Sequence, residues 1–203
     1  MKLYYLPGAC PLSTQIVLEW MNLPYELQAV EREELKQPAF LALNPVGSVP
    51  VFQDGDFTLT QSVAIVEYLA DLHPEAGLLG ATAKERAEVR RWLSFCAADV
   101  HKTFALVFAP QNYTADDAAK EVLISKATEK VLFYFDVADK QLEGKDYLTG
   151  KRSIADPYLY TILTWTKFKQ VNTDQFKNLQ RFFNVMANDP AVQQAHKRQQ
   201  EGR

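Results

Sequence analysis

The pattern of the chain changes once, and that change limits the folds open to it. Over residues 1–75 strand-like and helix-like stretches alternate, and beyond residue 82 nothing reads as a strand. Lys2 to Leu6 is short, apolar and tyrosine-rich, as a buried strand is. Pro7-Gly8 breaks it. Pro11 then stands where a helix takes a first-turn proline, because that position has no intrahelical N–H to lose. Leu12, Ile16, Val17 and Met21 keep one helical face apolar. After a stop at Asn22-Leu23-Pro24, Tyr25 to Val30 alternates as a second strand. Glu31 to Leu43 reads as a charged helix up to the Asn44-Pro45-Val46-Gly47 break. Val49 to Phe52 is strand-like, and Asp54-Gly55 is a hairpin signal into Phe57 to Leu59. A helix then runs from Gln61, with Val63, Val66, Leu69 and Leu72 on one face, and Pro74 closes it. The order β-α-β-α-β-β-α predicts a mixed sheet between helices, an α/β domain over residues 1–75.

The run Pro74 to Ala81 (PEAGLLGA), with its proline, two glycines and low charge, suits a linker, placed over residues 76–82. Residues 83–203 form an all-helical domain. Its helical patterns run from Thr82 to Phe108, Asp116 to Leu142, Ser153 to Lys169 and Asp174 to Ala187, with a short last helix opening at Asp189-Pro190. Ser153-Ile154-Ala155-Asp156 reads as a capping box with Asp in the fourth place. The charged tail from His196 is expected to fray.

Composition removes several classes of function. With 203 residues, 47% hydrophobic and 23% charged, the chain has core enough for one or two domains. A net charge of -3 with scattered basic residues leaves no footprint for nucleic acid. No apolar run approaches the ~18 residues of a membrane span, so no membrane partner is expected. Pro7 and Gly8 interrupt the N-terminal apolar run before a secretory segment can form. Two cysteines, Cys10 and Cys96, do not make a disulfide scaffold, and a free thiol suits a reducing compartment, so a cytoplasmic location is expected. His73, His101 and His196 show no ligand spacing, and no metal site is expected.

Cys10 falls at the N-cap of the first helix, beside unpaired N–H groups and the positive end of the helix. Thiols in such places ionise anywhere between ~7.5 and ~3.5 instead of ~8.5. The helix end alone supplies about 0.3–1 kcal/mol, less than one pKa unit, so a low value needs further help. The alternative is a small hydrophobe packed in a turn. Cys96 shares a helical face with Trp92, Leu93 and Val100 and reads as core.

Four motifs in order carry a resemblance. They are the strand-PGAC-helix start, the run from Asn44 through Val49-Pro50, the helix Gln61 to Leu69, and Ser153 to Asp156. Together they resemble the glutathione transferase fold: a thioredoxin-like N-terminal domain followed by an all-helical one. MKLYYLPGAC with Val100-His101-Lys102-Thr103-Phe104 is similar to the bacterial beta class, and the resemblance covers essentially the whole chain.

The resemblance implies glutathione as co-substrate, no metal, a homodimer, and Cys10 and His101 as catalytic residues. His101 would face the glutathione sulfur and hydrogen-bond to it or, when protonated, lower a thiol pKa. Val49-Pro50 would be a cis-proline turn presenting Val49 N–H and C=O to the extended tripeptide, like an added strand. Gln61 and Ser62, at a helix start, would hold the γ-glutamyl carboxylate. Gln61 stands where Glu is frequent and adds no charge for the ligand ammonium. Asp99, shorter than the usual Glu, would reach across the dimer, and Lys102 would meet the glycyl carboxylate. Arg32 and Lys36 are both candidates for that glycyl end, in a stretch shorter than in the beta class. Pro11 replaces a small polar residue and removes a donor N–H near the sulfur. Tyr5, Phe104, Phe108, Tyr113, Tyr158 and Trp165 would line an apolar acceptor pocket, with two other readings of Tyr5, a hydroxyl donor to a thiolate as in other transferase classes and strand packing.

The implied activity is conjugation of glutathione to small hydrophobic electrophiles, as in detoxification, or thiol–disulfide exchange through Cys10. Reductive dehalogenation or disulfide reduction of one specific substrate, and a non-catalytic binding protein, remain alternatives.

Overall fold

The structure, a computed structural model, describes residues 1–202. Strands β1 (Lys2–Tyr5), β2 (Glu26–Ala29), β3 (Val51–Asp54) and β4 (Phe57–Thr60) form one sheet in the order β2-β1-β3-β4. Leu3 pairs in parallel with Leu27 and antiparallel with Phe52, and Val51 faces Thr60 across the hairpin. Parallel neighbours need a crossover, and α1 (Pro11–Trp20) supplies it. The remaining helices of this half are α2 (Pro38–Leu43) and α3 (Ser62–Leu72).

Alternation along β1 divides its side chains between the two faces of the sheet. Leu3 packs with Phe52 and with Leu12, Ile16, Ile65 and Leu69 of α1 and α3 in the main core. Tyr4 joins Val30, Val51 and Phe40 of α2 in a smaller cluster. The helix expected over Glu31 to Leu43 is two pieces, a 3₁₀ turn at Glu34–Lys36 and then α2. Pro38 separates them, because a proline forces the residue before it out of the helical region, and Gln37 is extended with ψ 147.

The second half contains α4 (Ala83–Ser94), α5 (Lys102–Phe108), α6 (Asp117–Gln141), α7 (Asp156–Phe168), α8 (Lys177–Ala187) and α9 (Pro190–Glu201). Thr82 and Glu85 close a full capping box on α4. The long helix expected from Thr82 to Phe108 is continuous, but Phe95–His101 between α4 and α5 is π-helical. Such wide turns move a side chain to a face that regular helical spacing would not give it. The stretch 76–82 is packed, with Leu78 and Leu79 buried and the Leu78 carbonyl accepting from Ile154 N at 3.0 Å. At Ser153–Asp156 the buried Asp156 carboxylate accepts from Ser153 N, Ser153 Oγ and Leu148 N, each at 2.8 Å. The helix there begins at Asp156 itself, so the acid ties back the turn that precedes it.

The tail does not fray at His196: α9 continues through Glu201 and docks on α1. Val192, Ala195 and Gln199 share its buried face at helical spacing. Gln15 Nε2 donates to Ala195 O at 3.1 Å, and Gln199 Nε2 donates to Gln15 Oε1 at 2.9 Å. Arg198 meets Glu19 at 3.0 Å. With sheet, α3, α7 and α9 around it, α1 is buried along Pro11 to Leu18.

Candidate active site

A cavity of about 400 Å³ lies between the two halves. One wall is the loop Leu6 to Cys10 with Arg32, Leu35, Ser48 and Val49, and the other is His101, Ala105, Phe108, Ala109, Trp165 and Phe168. A larger groove of about 580 Å³ between α7 and α8 is lined by Lys167, Asn172, Asp174 and Gln180 among others, and it contains no cysteine or histidine. The first holds both Cys10 and His101.

The loop turns at Gly8, whose φ of 73 favours glycine. Trp165 Nε1 donates to Gly8 O at 2.8 Å and Gly8 N donates to Gln199 Oε1 at 3.3 Å, so the helical half fixes the loop from both sides. Cys10 is the N-cap of α1 but makes no side-chain cap bond. Its Sγ donates instead to the Val49 carbonyl at 3.6 Å. The Val49-Pro50 peptide is cis, so this carbonyl belongs to the turn that the sequence singled out.

Burial pushes the Cys10 thiol up to about 11, against the Ser62 hydroxyl and the Cys10 backbone, which both pull it down. Of the two readings of Cys10, the half-buried site favours the protonated thiol. A helix end contributes less than desolvation takes away when no cation stands by. The buried Cys96 thiol is raised as well, by burial first and Asp156 second.

His101 ends the π-helical segment. Its Nδ1 lies 2.9 Å from the Tyr158 oxygen, and its ring centroid lies 4.8 Å from that of Trp165. Burial, and then Lys102, push His101 down to about 4. This favours a neutral imidazole near pH 7, and so the hydrogen-bonding alternative for His101 over the protonated one.

Of the six aromatics expected in the acceptor pocket, Phe108 and Trp165 line the cavity. Tyr5 follows Leu3 to the interior face of β1, where its hydroxyl donates to Gln199 O at 3.3 Å. Phe104 is fully buried behind Phe108 and Trp165, at 5.3 and 5.7 Å between ring centroids. Tyr113 is 63% exposed beyond the end of α5. Tyr158 is 4% exposed and lies against His101, outside the lining. Leu6, Leu35, Ala105, Ala109 and Phe168 line it instead. Helical spacing carries part of that signal: Ala105, Phe108 and Ala109 follow His101 at i+4, i+7 and i+8, and Phe168 follows Trp165 at i+3.

Among the residues assigned to glutathione, Val49 and Arg32 line the cavity. Lys36 sits exposed in the 3₁₀ turn and is not part of the lining. Pro50 is buried after Val49. Gln61 is an exposed N-cap with φ 72, and Ser62 opens α3 with its hydroxyl beside the Cys10 sulfur. Asp99 and Lys102 are exposed around the junction of the π-helical segment and α5. Among the described residues no cluster of three His, Cys, Asp or Glu could hold a metal, and no helix is long and apolar enough to cross a membrane.

A βαβ-ββ sheet with a cysteine at its first helix, a cis-proline turn against the sulfur and a helical bundle closing the cleft define a class of thiol-handling proteins. The family profile "Glutathione S-transferase, N-terminal domain" matches residues 1–71, and "Glutathione S-transferase, C-terminal domain" matches residues 95–190. Glutathione S-transferase GST-4.5 of Xanthomonas campestris pv. campestris is 40% identical over 197 residues, covering 96% of this chain and 97% of that one. A glutathione S-transferase structure from Xylella fastidiosa superposes with a TM-score of 0.94 at 38% identity, over 98% of both chains. A beta-class glutathione S-transferase from Sphingomonas chungbukensis gives 0.86 at 31% identity, again over 98% of both. The chain belongs to the glutathione S-transferase family, and its activity is that of a glutathione transferase.

Proposed function

We propose that this glutathione transferase is a cytoplasmic homodimer that detoxifies small hydrophobic electrophiles, with Cys10 and His101 at the reacting sulfur. The observation that carries the reading is the Cys10 sulfur against the Val49 carbonyl at the cis-proline turn. The Val49 backbone is the edge that would receive the cysteinyl residue of glutathione as an added strand, and this sets the ligand sulfur beside Cys10. Ser62 and Gln61, at the start of the 11-residue α3, suit the γ-glutamyl carboxylate. Arg32 is preferred to Lys36 for the glycyl carboxylate because it lines the cleft. Lys102 is a second cation for that end, and Asp99 would act across the dimer.

In conjugation the glutathione thiolate forms a C–S bond to the electrophile. The bond to the leaving group breaks with its electron pair, and the thiol proton passes to solvent. A protonated Cys10 suits this step, because its S–H can donate to the thiolate, and the neutral imidazole of His101 can donate beside it. In exchange, the small deprotonated fraction of Cys10 attacks one sulfur of glutathione disulfide. A Cys10–glutathione disulfide forms and glutathione thiolate departs; the thiolate of a small substrate thiol then attacks the glutathione sulfur, which releases Cys10 and leaves a substrate–glutathione disulfide. Phe108, Trp165 and Phe168 offer the electrophile an apolar wall.

The test is intact mass after incubation of wild type, Cys10→Ala and Cys96→Ala with oxidised glutathione. One reducible glutathionyl adduct that vanishes only in Cys10→Ala, with conjugation altered but retained in that variant, is the expected result. Absence of an adduct on every variant, or equal loss of both activities in Cys10→Ala, overturns it.

A further inference from the structure

Tyr158 has no place in the acceptor pocket and no role in the chemistry described so far. It reaches His101 from α7, while His101 belongs to the turn that leads into α5. A neutral imidazole has one N–H, and whatever occupies one ring nitrogen decides which nitrogen carries the hydrogen. Here Nδ1 is occupied by the Tyr158 oxygen at 2.9 Å. His101 lines the cleft and Tyr158 does not, so the Nδ1 edge faces away from the cavity and the Nε2 edge remains for it. A buried phenol keeps its hydrogen and must direct it to an acceptor, and the lone pair of Nδ1 is a strong neutral one.

We propose that Tyr158 is a positioning residue: it donates its hydrogen to His101 Nδ1 and fixes the Nε2–H tautomer, so His101 meets the glutathione sulfur as a hydrogen-bond donor and not as a base. The role at the sulfur rests on the proposed function; the tautomer does not.

Two measurements test it. In histidine-labelled protein, long-range ¹H–¹⁵N spectra are expected to show His101 with a bare Nδ1 and a protonated Nε2 in wild type, and a mixture of tautomers in Tyr158→Phe. In conjugation assays Tyr158→Phe, which keeps the ring packing, is expected to lower kcat about fivefold with the KM for glutathione unchanged, as loss of one neutral hydrogen bond does. In a His101→Gln background the same substitution is expected to have no effect. A wild-type spectrum with hydrogen on Nδ1, or equal losses in both backgrounds, overturns the proposal. Should Tyr158→Phe not fold, the wild-type spectrum alone decides the tautomer. A wild type that fails to turn over glutathione would overturn the proposed function, and the spectrum would still decide the tether.

Discussion

The reactivity of Cys10 follows from its surroundings with a sign opposite to that of its sequence position. Burial raises the thiol from the ordinary 9.0 to about 11, with Ser62 opposing the rise. A shift of two pKa units corresponds to about 2.7 kcal/mol favouring the protonated form. At pH 7 the thiolate fraction is then about one in ten thousand, a hundredfold below that of a thiol at the ordinary value. A more basic thiolate is also more nucleophilic, and a Brønsted coefficient of about 0.4–0.5 returns roughly tenfold, leaving alkylation about tenfold slower than for a free cysteine. The assay is alkylation by iodoacetamide in a Cys96→Ala background, followed by intact mass from pH 6 to pH 10.5. The rate should climb about tenfold per pH unit through neutrality with no plateau below pH 10, and Ser62→Ala should slow it further at each pH. An inflection between pH 6 and pH 8, or a rate at pH 7 above that of free glutathione, would refute the assignment of desolvation as the dominant cause.

His101, depressed from 6.5 to about 4, stabilises the fold above pH 6.5, and this contribution is lost as the pH falls towards 4. On moving from pH 7.5 to pH 5, wild type should lose about 2 kcal/mol more than His101→Asn in urea unfolding, and equal losses would refute it. Asp156→Ala should lower unfolding stability by about 3 kcal/mol, because it strands the Leu148 and Ser153 N–H groups that the carboxylate now accepts; a change below about 1 kcal/mol would contradict that role.

Most of the architecture is visible in local chemistry. Aromatic and β-branched runs bounded by Pro and Gly mark the strands, and the apolar spacing of α1 and α3 marks the helices. Between Glu31 and Leu43 the break lies at Pro38, and reading the stretch as one charged helix merges a 3₁₀ turn with α2. The π-helical turn has no composition of its own, since Phe95–His101 propagates from α4 without a breaker. The cis bond before Pro50 was legible only through the resemblance, because the same dipeptide is trans in most proteins.

At the site, sequence identifies aromatic residues but not which of them reach the cleft. Phe104 and Phe108 sit one turn apart on α5, yet one is core and the other lining. Cys10 shows the same limit in energetic form. A helix start is a local property, whereas desolvation is contributed by residues far along the chain, which no window around the cysteine contains.

That distance has a consequence for how the protein is made. The loop before Cys10 is anchored by Trp165 and Gln199, which lie 157 and 191 positions from Gly8. During translation the sheet and α1 can emerge and pair long before either anchor leaves the ribosome. The nascent thiol is then solvated and has ordinary acidity, and its loop takes its final anchors only once α7 and α9 have been made and docked. The loop that carries the cysteine is thus among the first segments made and among the last to be fixed in place.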